Sequence, residues 1–227
     1  MVMSNIIATT EAPQGGEKWF ELRRGIPTAS CFSRIMDAEF NLKEPRSKKA
    51  KEDGELNESV FTYACELVAE RFRGPMLDYQ SEAKFQGSWA TEQGKILEPV
   101  ARSWFELEFD CDILEVAFIQ TDDKKCGCSP DGLVGEDSGL ELKCPQGVNQ
   151  VKYLLEGVLP CDYLHQVHGS IFVSGRSSWH FLSYNETLPN PAFHILVERD
   201  EAIMQRIGKS IQQFCYIVDQ LESQLKK

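Results

Sequence analysis

The stretch that decides the fold is Ser129-Pro130-Asp131-Gly132-Leu133-Val134, the link Gly135-Glu136-Asp137-Ser138-Gly139, then Leu140-Glu141-Leu142-Lys143-Cys144-Pro145. Two short apolar runs joined by a Gly- and Asp-rich link of five residues read as a β-hairpin. Pairing Val134 with Leu140 sets Leu133 against Glu141 and Asp131 against Lys143. Side chains alternate faces along a strand, so Asp131, Glu141 and Lys143 share one face, with Leu133 among them. Two carboxylates beside one amine suit a hard divalent cation and a water that must lose its proton. A surface hairpin with ordinary charges is the competing interpretation. Against it, Asp131 sits between Pro130 and Gly132, and Glu141 and Lys143 interrupt an otherwise apolar strand, where lone charges are costly.

The rest of the chain sets the context. Its 227 residues allow one large domain or two small ones. No apolar run reaches the ~20 residues that span a bilayer, and the N-terminus lacks the plan of a signal peptide. The expectation is a cytoplasmic protein with no membrane association. The net charge of −11 excludes a surface coated in basic groups but leaves room for a local basic channel. The 8 cysteines include no Cys-x-x-Cys pair, and buried free thiols are expected; zinc or an iron–sulfur cluster is the minority option.

Residues 1–16 are polar and read as a flexible N-terminal arm, with a single domain over 17–227. Trp19 and Leu22 suggest a short helix whose core face leaves Arg23 or Arg24 outside, stopped by Gly25 and Pro27. Thr28 or Ser30 could cap the helix through Ile35 and Met36. A helix start beside an arginine suits a phosphate; simple capping is the equal alternative. Residues 37–55, with Arg46 in Pro45-Arg46-Ser47, read as a charged loop, either solvated or touching DNA. Helical spacing marks 56–72 and 88–107, the second kinking or restarting near Gly94 because of Pro99. Glu98 stands at the edge of that apolar arc, either a surface carboxylate or one leaning toward the hairpin. Residues 112–120 read as one strand. Helices are expected at 147–156 and 161–174, strands at 178–184 and 193–198, and a terminal amphipathic helix on Ile203, Ile207, Ile211, Phe214 and Val218. Gln166 falls off the apolar stripe of its helix, so packing does not account for it. The order implies an α/β fold with a mixed central β-sheet flanked by helices.

Trp19-x-x-x-Arg23-x-Gly25-x-x-Thr28-Ala29-Ser30, Gly94-Lys95-x-x-Glu98, Cys128-Ser129-Pro130-Asp131-Gly132-Leu133, Leu140-Glu141-Leu142-Lys143-Cys144-Pro145 and His165-Gln166-Val167 occur in this order. Together they resemble the phage lambda exonuclease family, which includes the YqaJ-like viral recombinase nucleases and belongs to the PD-(D/E)XK group with its restriction-endonuclease-like core. The resemblance runs from about Trp19 to the C-terminus. It implies that Asp131, Glu141 and the Leu142 carbonyl hold Mg²⁺, with Mn²⁺ as a substitute, and that Glu98 serves a second ion. Lys143 would orient or deprotonate the attacking water, both roles staying open, and Gln166 would support the site. Arg23, Ser30 and Ser129 would grip a 5′-phosphate, and Arg46 would contact DNA. Family members degrade one strand of linear duplex DNA from a 5′ end. They leave a 3′ overhang for a single-strand annealing protein, and assemble as rings of three. The implied setting is a phage or prophage protein in a bacterial host. Pro99 after Glu98, and His168 in place of a second Gln, depart from the lambda pattern without removing a catalytic group. An endonuclease of the same fold and a noncatalytic module that binds DNA ends are the alternatives.

Overall fold

The computed structural model describes residues 7–9, 14–36, 56–73 and 89–227; Arg46 and the 37–55 segment lie outside them. The central sheet has five strands in the order β2 (Ile113–Leu114), β5 (Gly132–Val134), β6 (Ser138–Lys143), β7 (Ser178–Tyr184), β8 (Ala192–Glu198). Only β6 and β7 run parallel; the other pairs are antiparallel. A parallel pair needs a crossover, which here is α5 (Gly147–Glu156) and α6 (Cys161–Ser174). The mixed sheet flanked by helices is therefore as expected.

Alternation along the two central strands fixes what each face does. Leu140, Leu142, Leu182 and Tyr184 point one way and pack with Ala101 and Phe105 of α4 (Trp89–Phe109). Leu133, Trp179 and Phe181 point the other way, into the larger core. That core is completed by Val60, Ala64 and Leu67 of α3 (Glu58–Phe72), by Val167 and Ile171 of α6, and by Ile207, Ile211, Phe214 and Val218 of α7 (Glu201–Leu225). Glu141 shares this second face, so the strand carries a carboxylate into the apolar layer.

Several details differ from the expectation. The hairpin pairs Val134 with Ser138 and Gly132 with Leu140, leaving a link of Gly135, Glu136 and Asp137 alone. Gly135 takes the left-handed conformation (φ +53°) that lets so short a link close. Arg176 Nη1 then donates to the carbonyls of Gly135 (3.0 Å) and Ser138 (2.7 Å), fixing the turn. The register moves by two residues, an even number, so every side chain keeps its face. The 112–120 strand is two strands in different sheets. Ile113–Leu114 joins the central sheet, whereas β3 (Phe118–Gln120) pairs with β4 (Gly127–Cys128) and with β1 (Ile7–Thr9) in a second, antiparallel sheet of three strands. Val116 through Ile119 are all buried, which ends the alternation where the chain changes sheets. Ile7–Thr9 is thus paired strand inside what reads as a loose arm. α4 runs unbroken through Gly94 and Pro99 rather than restarting. The cysteines are free, yet only Cys126, Cys128 and Cys215 are buried, and Cys65 and Cys161 are exposed.

Candidate active site

The hairpin brings Asp131 beside Glu141. The Asp131 backbone N–H donates to the Leu140 carbonyl at 3.1 Å, and Asp131 Oδ2 accepts the Leu142 N–H at 2.6 Å. Arg102 of α4 donates to the Asp131 carbonyl at 3.1 Å, holding the residue from outside the sheet. Glu141 is 1% exposed. Its Oε1 accepts from Lys143 Nζ and, at 2.5 Å, from Gln166 Nε2 on α6, while its Oε2 is buried with no hydrogen-bond partner. Gln166 leaves the apolar stripe of its helix because it has this partner.

Burial pushes the carboxyl pKa values of both Asp131 and Glu141 up, against the charge of Lys143, which pulls them down. Burial alone would lower Lys143, but the charges of Glu141 and Asp131 outweigh it and raise its pKa. Lys143 is therefore an ammonium here, lying 5.4 Å above the Tyr163 ring. An unpartnered buried carboxylate oxygen is costly. Oxygen donors on two converging carboxylates fit a hard divalent cation, which would satisfy it. Among the described residues no group of three His, Cys, Asp or Glu side chains converges for a metal, so the side-chain ligands on offer are Asp131 and Glu141. Glu98, on α4, is close enough for its charge to raise the Glu141 pKa. It does not line the cavity described next. Leu142 is placed between the two charged residues of its strand, with its N–H on Asp131.

Arg23, Ser30 and Ser129 meet the carboxylates in one cavity of about 180 Å³, which Asp131, Glu141, Lys143 and Gln166 also line. Arg23 ends α1 (Glu17–Arg23) and is half-buried, lining the cavity, which settles which of the two arginines faces the site. Its Nη1 donates to Ser129 Oγ at 2.9 Å and its Nη2 to Thr28 Oγ1 at 3.3 Å. Burial lowers its pKa, though a guanidinium stays charged. Thr28 precedes the 3₁₀ turn Ala29–Cys31 without capping it; its hydroxyl lies 3.3 Å from Ser30 Oγ.

Sequence reasoning missed three groups. Trp19 Nε1 donates to Ser129 Oγ at 2.9 Å, and its ring lies 4.3 Å from the Arg23 guanidinium. The i, i+4 spacing of Trp19 and Arg23 carried that signal. Gln14 Nε2 donates to the Pro130 carbonyl at 2.7 Å, and buried Ser170, one turn beyond Gln166, lines the cavity. His168 is buried, and burial lowers its pKa; it is not among the cavity residues.

The fold and its likenesses define a nuclease. The chain belongs to the YqaJ-like viral recombinase family, whose domain model matches residues 18–177. It is similar to the alkaline exonuclease LHK-Exo of Laribacter hongkongensis, with 27% identity over 93% of this chain and 96% of that one, and a TM-score of 0.76. The structure of LHK-Exo in complex with dAMP gives 26% identity over the same shares and a TM-score of 0.75. A phage-related exonuclease from Haemophilus somnus 129PT shares the fold at 16% identity over 88% of this chain and 96% of that one, with a TM-score of 0.60. No curated relative matches.

Proposed function

We propose that this protein is a divalent-metal-dependent 5′-to-3′ exonuclease of linear double-stranded DNA. In this account it starts at a 5′-phosphate and leaves a 3′ single strand for an annealing partner in phage recombination. The observation that carries the reading is the shared cavity: an arginine with two serine hydroxyls faces one buried and one half-buried carboxylate and the Lys143 amine. The arginine side suits a terminal phosphate, and the carboxylate side suits hydrolysis of the next phosphodiester. The name of LHK-Exo as an alkaline exonuclease, at 27% identity, supports the exonuclease part of this reading.

Asp131 and Glu141, with the Leu142 carbonyl and with Glu98 for a second ion, would hold Mg²⁺, Mn²⁺ substituting. The ion supplies charge neutralisation at the phosphate and a lowered pKa for water. Gln166 fixes the Glu141 carboxylate in place from α6. Lys143, set beside both carboxylates, would orient the attacking water or take its proton. Arg23 offers a planar fork matched to a terminal phosphate. Each cut that leaves a 3′-hydroxyl exposes a new 5′-phosphate for the same grip. Arg46 would add a DNA contact along the substrate.

An assembly of three chains in a ring belongs to the same proposal. Support comes from the exposed apolar side chains Val148, Val151 and Leu155, at helical spacing on α5, which offer a neighbouring chain an apolar face to pack on. The alternative of an endonuclease is tested by giving the enzyme with Mg²⁺ covalently closed duplex and the same duplex linearised. The exonuclease reading expects only the linear form to be degraded; degradation of closed circles at a similar rate would reverse it.

A further inference from the structure

We propose that Trp19 is a positioning residue that sets the hydroxyl of Ser129 as a hydrogen-bond donor and so makes the cavity selective for a phosphorylated 5′ end. This rests on the 5′-phosphate reading above. A serine hydroxyl has one proton and two acceptor lone pairs. Both lone pairs of Ser129 Oγ are taken, by Trp19 Nε1–H and by Arg23 Nη1–H, each at 2.9 Å. Neither donor can reverse its role, because an indole nitrogen and a guanidinium have no acceptor. The Ser129 proton is therefore left to point at an acceptor supplied from the cavity that Ser129, Trp19 and Arg23 line together. A serine without those two donors could rotate and present its oxygen instead, which would repel a phosphate. A 5′-hydroxyl, being both donor and acceptor, gains little from the fixed direction, whereas phosphate oxygens are acceptors only. The device thus discriminates between the two ends rather than raising affinity for DNA at large. The Trp19 ring has a second role, since the Arg23 guanidinium lies 4.3 Å from its centre. The two roles are separable, because phenylalanine keeps a ring and loses the N–H.

The test is the ratio of kcat/KM on 5′-phosphorylated to 5′-hydroxyl linear duplex, measured for wild type, Trp19→Phe, Ser129→Ala and the double variant. The expected result is a ratio lowered about 10-fold in each single variant, the scale of one hydrogen bond to a charged group. The double variant should fall no further than Ser129→Ala, since the indole N–H acts only through Ser129. An unchanged ratio in Trp19→Phe overturns the inference. So does an additive loss in the double variant, which would show that Trp19 acts independently of Ser129. If Trp19→Phe does not fold, benzothienylalanine at position 19, which replaces only the N–H by sulfur, gives the same comparison. A wild-type ratio near one overturns the 5′-phosphate reading itself, and this inference with it.

Discussion

Glu141 has two oxygens with opposite fates: one receives both Lys143 and Gln166, the other is buried without a partner. That asymmetry makes the residue sensitive to both charge and pH. Glu141→Gln or Asp131→Asn removes a charge with little change in volume, and each should reduce Mg²⁺-dependent cleavage below a few per cent while circular dichroism stays native. Substantial activity in either variant would remove it from the metal site. Lys143→Ala should still bind duplex but cut ~10²–10⁴-fold more slowly, the scale of a group that acts on a proton or its carrier; a wild-type rate would make the lysine structural only. The pH dependence has a definite sign. Burial raises the folded pKa of Glu141 from 4.5 to about 7, so its contribution to stability is full below about 4.5 and lost as pH rises through about 7. In EDTA the melting temperature should therefore fall between about pH 5 and pH 7 and level off above that, and Glu141→Gln should flatten that slope. A slope unaltered by the substitution would show that another group titrates. At this scale the sequence was legible where chemistry conflicts with pattern. Charges in an apolar strand exposed Glu141 and Lys143, and a glutamine off its stripe exposed Gln166. Periodicity could not choose between Arg23 and Arg24, because α1 is too short and too exposed to orient them.

The hairpin is the element that makes the site, and it is held by close packing. Gly139 lies over Trp179, where an added Cβ would stand 2.3 Å from the ring, and Trp179 is fully buried and cannot retreat. Gly139→Ala should destabilise the fold by about 1–3 kcal/mol, measured by urea denaturation, and lower activity in step with the folded fraction. Unchanged stability would mean that the strand and the indole are less tightly apposed than described. The strands themselves were readable from alternation, but the hairpin register was not. Gly135 and Gly139 both qualify as turn residues, and only the left-handed Gly135 with the Arg176 clamp settles a link of three residues. Likewise, 112–120 is apolar enough for one strand, and its division between two sheets depends on partners far away in sequence.

Across the whole molecule, two helices and the hairpin, from distant parts of the chain, bring Arg23, Asp131, Glu141 and Gln166 around one cavity, although they span residues 23 to 166. Periodicity located the helices, and the order of motifs located the family; the convergence itself needed the sheet order. No described helix is long and apolar enough to cross a membrane. If three chains close into a ring through unlike faces, sedimentation at micromolar concentration should give three times the 25.8 kDa chain mass, and Leu155→Glu, which charges an exposed apolar face, should yield a smaller species. A wild-type monomer would defeat the ring. The most direct test of the central claim follows each strand of a linear duplex, phosphorylated at both 5′ ends and labelled internally, during digestion with Mg²⁺. The account predicts progressive shortening from the 5′ ends alone, with 5′-mononucleotides released, 3′ tails left intact and no cleavage in EDTA. Shortening from the 3′ ends, internal nicks, or digestion that persists in EDTA would contradict it.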